Sequence, residues 1–219
     1  MRLAIRLLAP LMVFAFIACS GGDDAPVPVA QRFPAAADAP GSAADPVEKR
    51  ETTVDLDGFI VAFTPAIIDP DEDEMTTVFQ EAGFKGAGVD TRFYGAAHSP
   101  TAPHLFSWFI ELDSEDGAST VLDWIEADAN KPCPRSCAAK INSFDVDGIP
   151  DVRGVHRIAT AEEIAAAGTA DQVPHESYLV GFTIGSIVYT VSLSGPPGTV
   201  SEEEVQRVAN AFYERLTGG

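Results

Sequence analysis

Cys133 and Cys137, set in KPCPRSCAAK, are the first residues in this chain whose types and spacing could do chemistry. Two thiols this close can form a disulfide, run a redox cycle or share a metal. Redox pairs of the thioredoxin kind use C-x-x-C beside a β-α-β pattern; here the spacing is C-x-x-x-C and no such strand precedes it. The histidines, His98, His104, His156 and His175, show no metal-ligand spacing on one helix face. His98 and His104 flank the loop-like SPTAP, and a zinc site joining them to Asp90 has only composition behind it. Asp69, Asp71 and Asp73 have the look of a calcium loop. An EF-hand, however, needs Gly and Glu where this chain has Glu74 and Gln80, so a solvated helix start is expected instead. No nucleophile elbow, P-loop or dinucleotide fingerprint occurs. Gly181 and Gly185 precede Ser186 inside a hairpin pattern, which is turn chemistry. No catalytic residue, metal or cofactor is therefore expected.

The N-terminus carries a stronger signal. Arg2 and Arg6 precede an apolar run from Leu7 to Ala18. That run is too short for a bilayer-spanning helix, which needs about 20 apolar residues, but it suits a secretory signal. It ends on Ala18-Cys19-Ser20-Gly21, which resembles the bacterial lipoprotein box, with Phe16 where Leu is usual. The resemblance implies a signal peptide over 1–18 and a lipidated Cys19 as the mature N-terminus. A diacylglyceryl group anchors stably where one acyl chain does not. Residues 19–50 are then expected to be a tether rich in Ala, Pro, Asp, Gly and Ser, too poor in apolar side chains to order itself. As a loose chain it would reach on the order of 30 Å. Export in turn favours a structural disulfide between Cys133 and Cys137, contributing ~2 kcal/mol across so small a loop.

Residues 51–219 are long enough for one domain with a real core. The formal charge is -19, and removing 1–18 takes away Arg2 and Arg6 and no acid, leaving about -21. Nucleic acid and anionic headgroups demand basic patches, so neither is an expected partner.

The elements that must position any site are legible from punctuation. VDLDGFIVAFTPA, from about Val54 to Thr64, is expected to be β. A helix follows, capped by Asp69 with Pro70 in its first turn and ended by Gly83. Strands are expected near 88–94 and 104–112, the second placing Phe106, Trp108, Ile110 and Leu112 on one face. DSEDGASTVLDWIEADANK is a helix with Ala118, Val121, Leu122 and Ile125 as its apolar stripe. A strand in DVRGVHRIA, a short helix with a Thr160/Glu163 capping box, and a hairpin turning at Gly185-Ser186 come next. A last helix with a Ser201/Glu204 box presents Val205, Val208, Ala209, Phe212 and Leu216. The fold class is therefore α+β, with one antiparallel sheet of about six strands and packed helices. The two halves form a degenerate tandem β-α-β-β-α repeat. Trp108 and Phe109 point to opposite sheet faces, so both faces are expected to be covered. The aromatic cluster, Phe93, Tyr94, Phe106, Trp108, Phe109 and Trp124, is expected to be mostly core; a face left open would be an apolar groove.

FQEAGF, SWFIELDSEDGAS, GIPDVRG and the closing hairpin and helix together resemble actinobacterial surface lipoproteins of uncharacterised function. More distantly, the chain resembles the extracellular sensor domain of a mycobacterial receptor kinase. These resemblances imply a non-enzymatic extracytoplasmic domain that binds a ligand or an envelope protein and is held to the cell membrane by its lipid, the outer membrane if the cell has two. The alternatives are a carrier of lipid or another small hydrophobic molecule, and a hydrolase with a nonstandard site.

Overall fold

A computed structural model of the chain describes residues 27–35, 38, 47–53, 55–63, 71–93, 103–131, 139–167 and 173–218. Among these, seven strands form one antiparallel sheet, against the expected six, and five α-helices pack on it. The strands are β1 (Val47–Thr53), β2 (Gly86–Phe93), β3 (His104–Glu111), β4 (Lys140–Ser143), β5 (Arg153–Ala159), β6 (His175–Ile184) and β7 (Ile187–Gly195). The helices are α1 (Leu56–Phe63), α2 (Glu72–Glu81), α3 (Glu115–Ala129), α4 (Ala161–Ala167) and α5 (Glu202–Thr217). The spatial order is β1-β2-β3-β7-β6-β5-β4. The elements run β-α-α-β-β-α and then β-β-α-β-β-α, so each half carries one element beyond the expected β-α-β-β-α, and the two halves meet where β3 pairs with β7. The closing helices of the halves, α3 and α5, nevertheless lie on opposite faces of the sheet.

Alternation along the strands divides the side chains between two cores. On the front face Ala87, Val89, Trp108, Ile110 and Val188 meet Phe59 of α1, Met75 and Phe79 of α2, and Val121, Leu122, Trp124 and Ile125 of α3. On the back face Leu105, Phe109, Val180, Phe182, Tyr189 and Val191 meet Val205, Val208, Ala209 and Phe212 of α5. The expectation that both faces are covered holds for Trp108 and Phe109, each 3 % exposed.

Local signals set most boundaries. Ser114 caps α3 by accepting from the Gly117 N–H at 3.1 Å. Ser201 caps α5 by accepting from the Glu204 N–H at 3.2 Å. The Thr160/Glu163 box is reciprocal: the Glu163 N–H donates to Thr160 Oγ1 and the Thr160 N–H to Glu163 Oε2. Gly83, at φ +77°, ends α2 while the Phe84 and Gly83 N–H groups donate to Phe79 O and Gln80 O, a Schellman arrangement. Gly185, at φ +56°, begins the two-residue turn joining β6 to β7, as type II′ requires.

Four expectations are corrected. The segment read as a strand over 54–64 contains the helix α1. Asp55 initiates it by accepting from the Gly58 N–H at 3.3 Å, and a short apolar run has no period of its own to separate strand from helix. The cap of α2 is Asp71, whose carboxylate accepts from the Glu74 N–H at 3.0 Å; Asp69 and Pro70 lie outside the described residues. Two polar strands, β1 and β4, were not expected, and β1 opens at Val47, ahead of the expected domain start at residue 51. Part of the expected tether is docked on the domain. Phe33 is 1 % exposed in the back core, its ring 5.3 Å from that of Phe109.

That docked segment is held by arginines. Arg92, 1 % exposed, donates to Pro34 O at 2.6 Å and to Asp90 Oδ2 at 2.9 Å. Arg215 donates to Phe33 O at 2.8 Å, and Arg32 to Glu111 Oε2 at 2.6 Å. Arg50 lies over the Phe33 ring, 4.7 Å from its centroid. Gly88 makes room for the clasp: a Cβ there would stand 2.5 Å from Phe109 and 2.7 Å from Phe33.

Candidate functional site

The front face is not evenly filled. Helix α3 starts from its Ser114 cap, crosses β7, β6 and β5, and ends in a last turn around Asp128. A cleft of about 80 Å³ opens between that turn and the sheet. Its floor is apolar, from Trp108 on β3, Ile125 on α3, Val155 on β5 and Leu179 on β6. Its rim is polar, from Arg157 on β5, Ser177 on β6, Ser192 and Ser194 on β7, and Asp128. Register brings these together. Ser177 and Ser194 are directly opposite in the β6–β7 ladder, Ser192 is opposite Leu179, and Arg157 is opposite Ser177 in the β5–β6 ladder. On a strand, residues two apart share a face, so these five side chains form one patch.

The electrostatics of the patch are local. Asp128 is 6 % exposed, and Lys131 sits 3.0 Å from its carboxylate. Burial pushes the Arg157 guanidinium below the usual arginine value, with Asp128 pulling the other way. The three serine hydroxyls are half-buried and make no hydrogen bond among the described residues. The cleft thus offers donors of both kinds, a charged fork and neutral hydroxyls, above an apolar floor.

Two larger hollows lack such convergence. One of about 310 Å³ lies between β1 and α1, lined by Glu51, Thr52, Thr53, Gly58 and Phe59. One of about 350 Å³, between α2 and α3, is walled by Glu81, Asp113 and Asp116. Both are more open than the cleft, and Asp113 in the second is ion-paired with Lys85 at 2.9 Å.

A second polar cluster sits on the back face. Glu176, 6 % exposed, accepts from the Gly198 N–H at 2.7 Å and from Tyr178 Oη at 2.9 Å, and its Oε1 is 2.9 Å from His156 Nε2. The His156 ring is stacked on Tyr178 at 4.3 Å. Burial pushes Glu176 up, but these partners together outweigh it and hold the carboxyl below its ordinary value. Burial and Glu176 push the Tyr178 phenol up to about 12. A His–Glu pair can orient a general base, yet no hydroxyl or thiol hydrogen-bonds His156 among the described residues. The cluster ties the turn before α5 to the sheet.

Of the residues singled out in the sequence, Trp108 lines the cleft and His156 joins the Glu176 cluster, and the others gather at neither place. Cys19, Cys133, Cys137 and His98 lie outside the described residues. His104 lies 5.6 Å from Phe93, ring to ring, and His175 Nδ1 is 3.2 Å from Val173 O. Asp71 is spent on its helix, and Asp90 on Arg92 and Arg50. Among the described residues no three His, Cys, Asp or Glu side chains converge as a metal site, and no helix is long and apolar enough to cross a membrane. Trp108, Phe109 and Trp124 are core, Phe106 is partly buried against Trp108, and Tyr94 lies outside the described residues. The cleft residues were missed because Ser177, Ser192 and Ser194 read in the sequence as the solvent side of a hairpin.

No protein-family model matches the chain, and no curated protein matches it. Among solved structures the chain is similar to the extracellular domain of PknH from Mycobacterium tuberculosis, at 13 % identity and a TM-score of 0.48, covering 85 % of this chain and 99 % of that one. It is also similar to an uncharacterised protein of Mycobacterium smegmatis, at 9 % identity and a TM-score of 0.37, covering 78 % and 88 %. A distant likeness to a mycobacterial extracellular domain, expected from the sequence, is present among solved structures.

Proposed function

We propose that this chain is a lipid-anchored extracytoplasmic protein whose domain binds a small ligand and catalyses no reaction. The observation that carries the binding role is the front cleft, where Arg157 and three serine hydroxyls converge above an apolar floor. Such a place is what small-molecule sites look like, a concave apolar surface with a few placed polar groups. The anchor is supported by Arg2, Arg6, the apolar run and the Ala18-Cys19 junction. A carrier for lipid has less support, because the larger hollows are more open than the cleft and each has an acidic side chain in its lining.

Two measurements test the proposal. A fragment library screened by protein-observed NMR should give hits that shift the amides of Ser177, Leu179, Ser192 and Ser194. Hits that leave all four unmoved would end the binding role assigned to the cleft. For the anchor, Cys19→Ser should move the protein from the detergent phase to the aqueous phase in cells of the source type. Mass spectrometry of the wild-type N-terminal peptide should find Cys19 lipidated; an unmodified mature terminus at another residue would refute it.

A further inference from the structure

The segment from Val27 to Ala35 sits on the domain as a peptide sits on a receptor. It is not a strand of the sheet. The backbone–backbone hydrogen bonds it makes among the described residues are local: Gln31 N–H to Pro28 O, Arg32 N–H to Val29 O and Asp38 N–H to Ala35 O. One side chain and a few polar contacts tie it to the fold. Phe33, 1 % exposed, fills a slot walled by Phe109, covered by Arg50 and opened by Gly88. Arg215 donates to Phe33 O and Arg92 to Pro34 O. Glu111 accepts from Arg32, whose guanidinium also lies 5.1 Å from the centre of the Phe109 ring. Every residue of this seat lies between positions 50 and 215. Nothing in its chemistry requires that the segment belong to the same chain.

The sequence between Asp38 and β1 is APGSAADP, with no apolar side chain larger than proline. The nine steps from Asp38 to Val47 reach at most about 32 Å, enough for the segment to cross to a domain packed alongside. A second copy offers an identical seat, and reciprocal exchange keeps every contact the segment makes in its own chain. The two arrangements then differ in concentration alone. A short linker supplies the segment to its own seat at an effective concentration of order mM, so dilute chains hold their own segments and exchange competes as the chain approaches ~1 mM. A unit with few ties to the sheet opens at a lower cost than unfolding the domain. We infer that the Phe33 seat is an interface between copies of this chain, joined by exchange of residues 27–35. The inference stands on the back face and depends neither on the front cleft nor on a lipid at Cys19.

Two full mature chains with complementary defects test it. Phe33→Ala keeps the seat and spoils the segment. Gly88→Ala keeps the segment and blocks the seat, since its Cβ would stand 2.5 Å from Phe109 and 2.7 Å from Phe33. Neither can exchange with its own kind, but the Gly88→Ala segment should enter the Phe33→Ala seat. Sedimentation of the mixture should show association at least about tenfold tighter than that of either variant alone, the factor carried by burying one Phe side chain. Should Gly88→Ala lose its dispersed NMR spectrum, a dye-labelled peptide of residues 27–35 takes its place. That peptide should bind Phe33→Ala at least about tenfold more tightly than wild type, whose seat is filled, and the same peptide carrying Phe33→Ala should bind neither. Wild type, which needs no variant to fold, should pass from monomer to dimer as its concentration nears ~1 mM. A mixture no more associated than its components, or wild type still monomeric at ~1 mM, would overturn the exchange. Peptide binding without association of the mixed chains would overturn the second copy as occupant and leave the seat a peptide site. Dimerisation of Gly88→Ala to the same extent as wild type would also overturn the inference, because the interface would then lie elsewhere.

Discussion

Replacing Arg92 with Met tests the account of how the N-terminal segment is held. Arg92 and Asp90 stand two apart on β2 and so share the back face. Both side chains are buried, at 2 % and 0 % exposure, with Arg92 Nε 2.9 Å from Asp90 Oδ2. Methionine keeps much of the length and removes the charge. The substitution leaves Asp90 with Arg50, 3.3 Å away on a side chain 35 % exposed, and it strips Pro34 O of its 2.6 Å donor. Breaking a buried pair from one side costs about 3–5 kcal/mol. Arg50 retains part of the compensation, so the expected loss is near ~3 kcal/mol, a large fraction of the ~5–15 kcal/mol typical of a domain. Urea unfolding at neutral pH measures it. A second readout reports on the clasp. Arg32 is 7 % exposed, so trypsin should spare the bond after it in the native wild type and cut it in Arg92→Met. Removing both charges, Arg92→Met with Asp90→Leu, should recover part of the loss, since no uncompensated ion is left behind. A loss below ~1 kcal/mol with Arg32 still protected would refute the claim that this pair holds the segment down.

Three further outcomes are expected. Glu176→Gln should cost about 1.5–3 kcal/mol at neutral pH, where the charged acceptor serves Gly198, Tyr178 and His156. Because the folded Glu176 carboxyl titrates below its unfolded value of about 4.3, its contribution is full above that pH and is lost as pH falls through the folded value. The gap between wild type and variant should close in acid; a constant gap from neutral to pH ~2 would refute the assignment. Gly88→Ala should destabilise by about 1–3 kcal/mol, because its Cβ meets Phe109 and Phe33, and it should expose Arg32 to trypsin; a neutral effect on both would contradict the packing. Thiol labelling of unfolded, unreduced mature protein should find neither Cys133 nor Cys137 free, and two labelled thiols would reject that bridge.

Elements whose ends are decided within a few residues were legible in the sequence. The Thr160/Glu163 and Ser201/Glu204 boxes, the Gly185 turn and the alternation through Phe106, Trp108 and Ile110 all specify structure by local chemistry. The misses are non-local. GFIVAF satisfies a helix or a strand until Asp55 is seen accepting from Gly58. The polar VEKRETT becomes β1 only because β2 offers it an edge. Phe33 is an isolated aromatic in a Pro- and Ala-rich stretch, and its burial depends on Gly88, more than fifty positions away, having no side chain. The cleft was hidden for the same reason, since Arg157, Ser177, Ser192 and Ser194 become neighbours only through the register of three strands.

With an anchor at Cys19, the docking of Phe33 would also set a height. An anchor at Cys19 with the fold beginning near residue 50 would leave thirty-one residues of leash, with an upper length of roughly 110 Å at full stretch. The docked segment already includes Val27, whose carbonyl accepts from Arg32 Nε at 3.0 Å. Only seven residues would then lie between Cys19 and Val27, and even pulled straight the eight steps span at most about 29 Å. A protein so attached patrols a thin layer next to the bilayer rather than sweeping the space above it. Partners and ligands would have to come to that layer, and releasing the clasp at Phe33 would let the domain rise out of it.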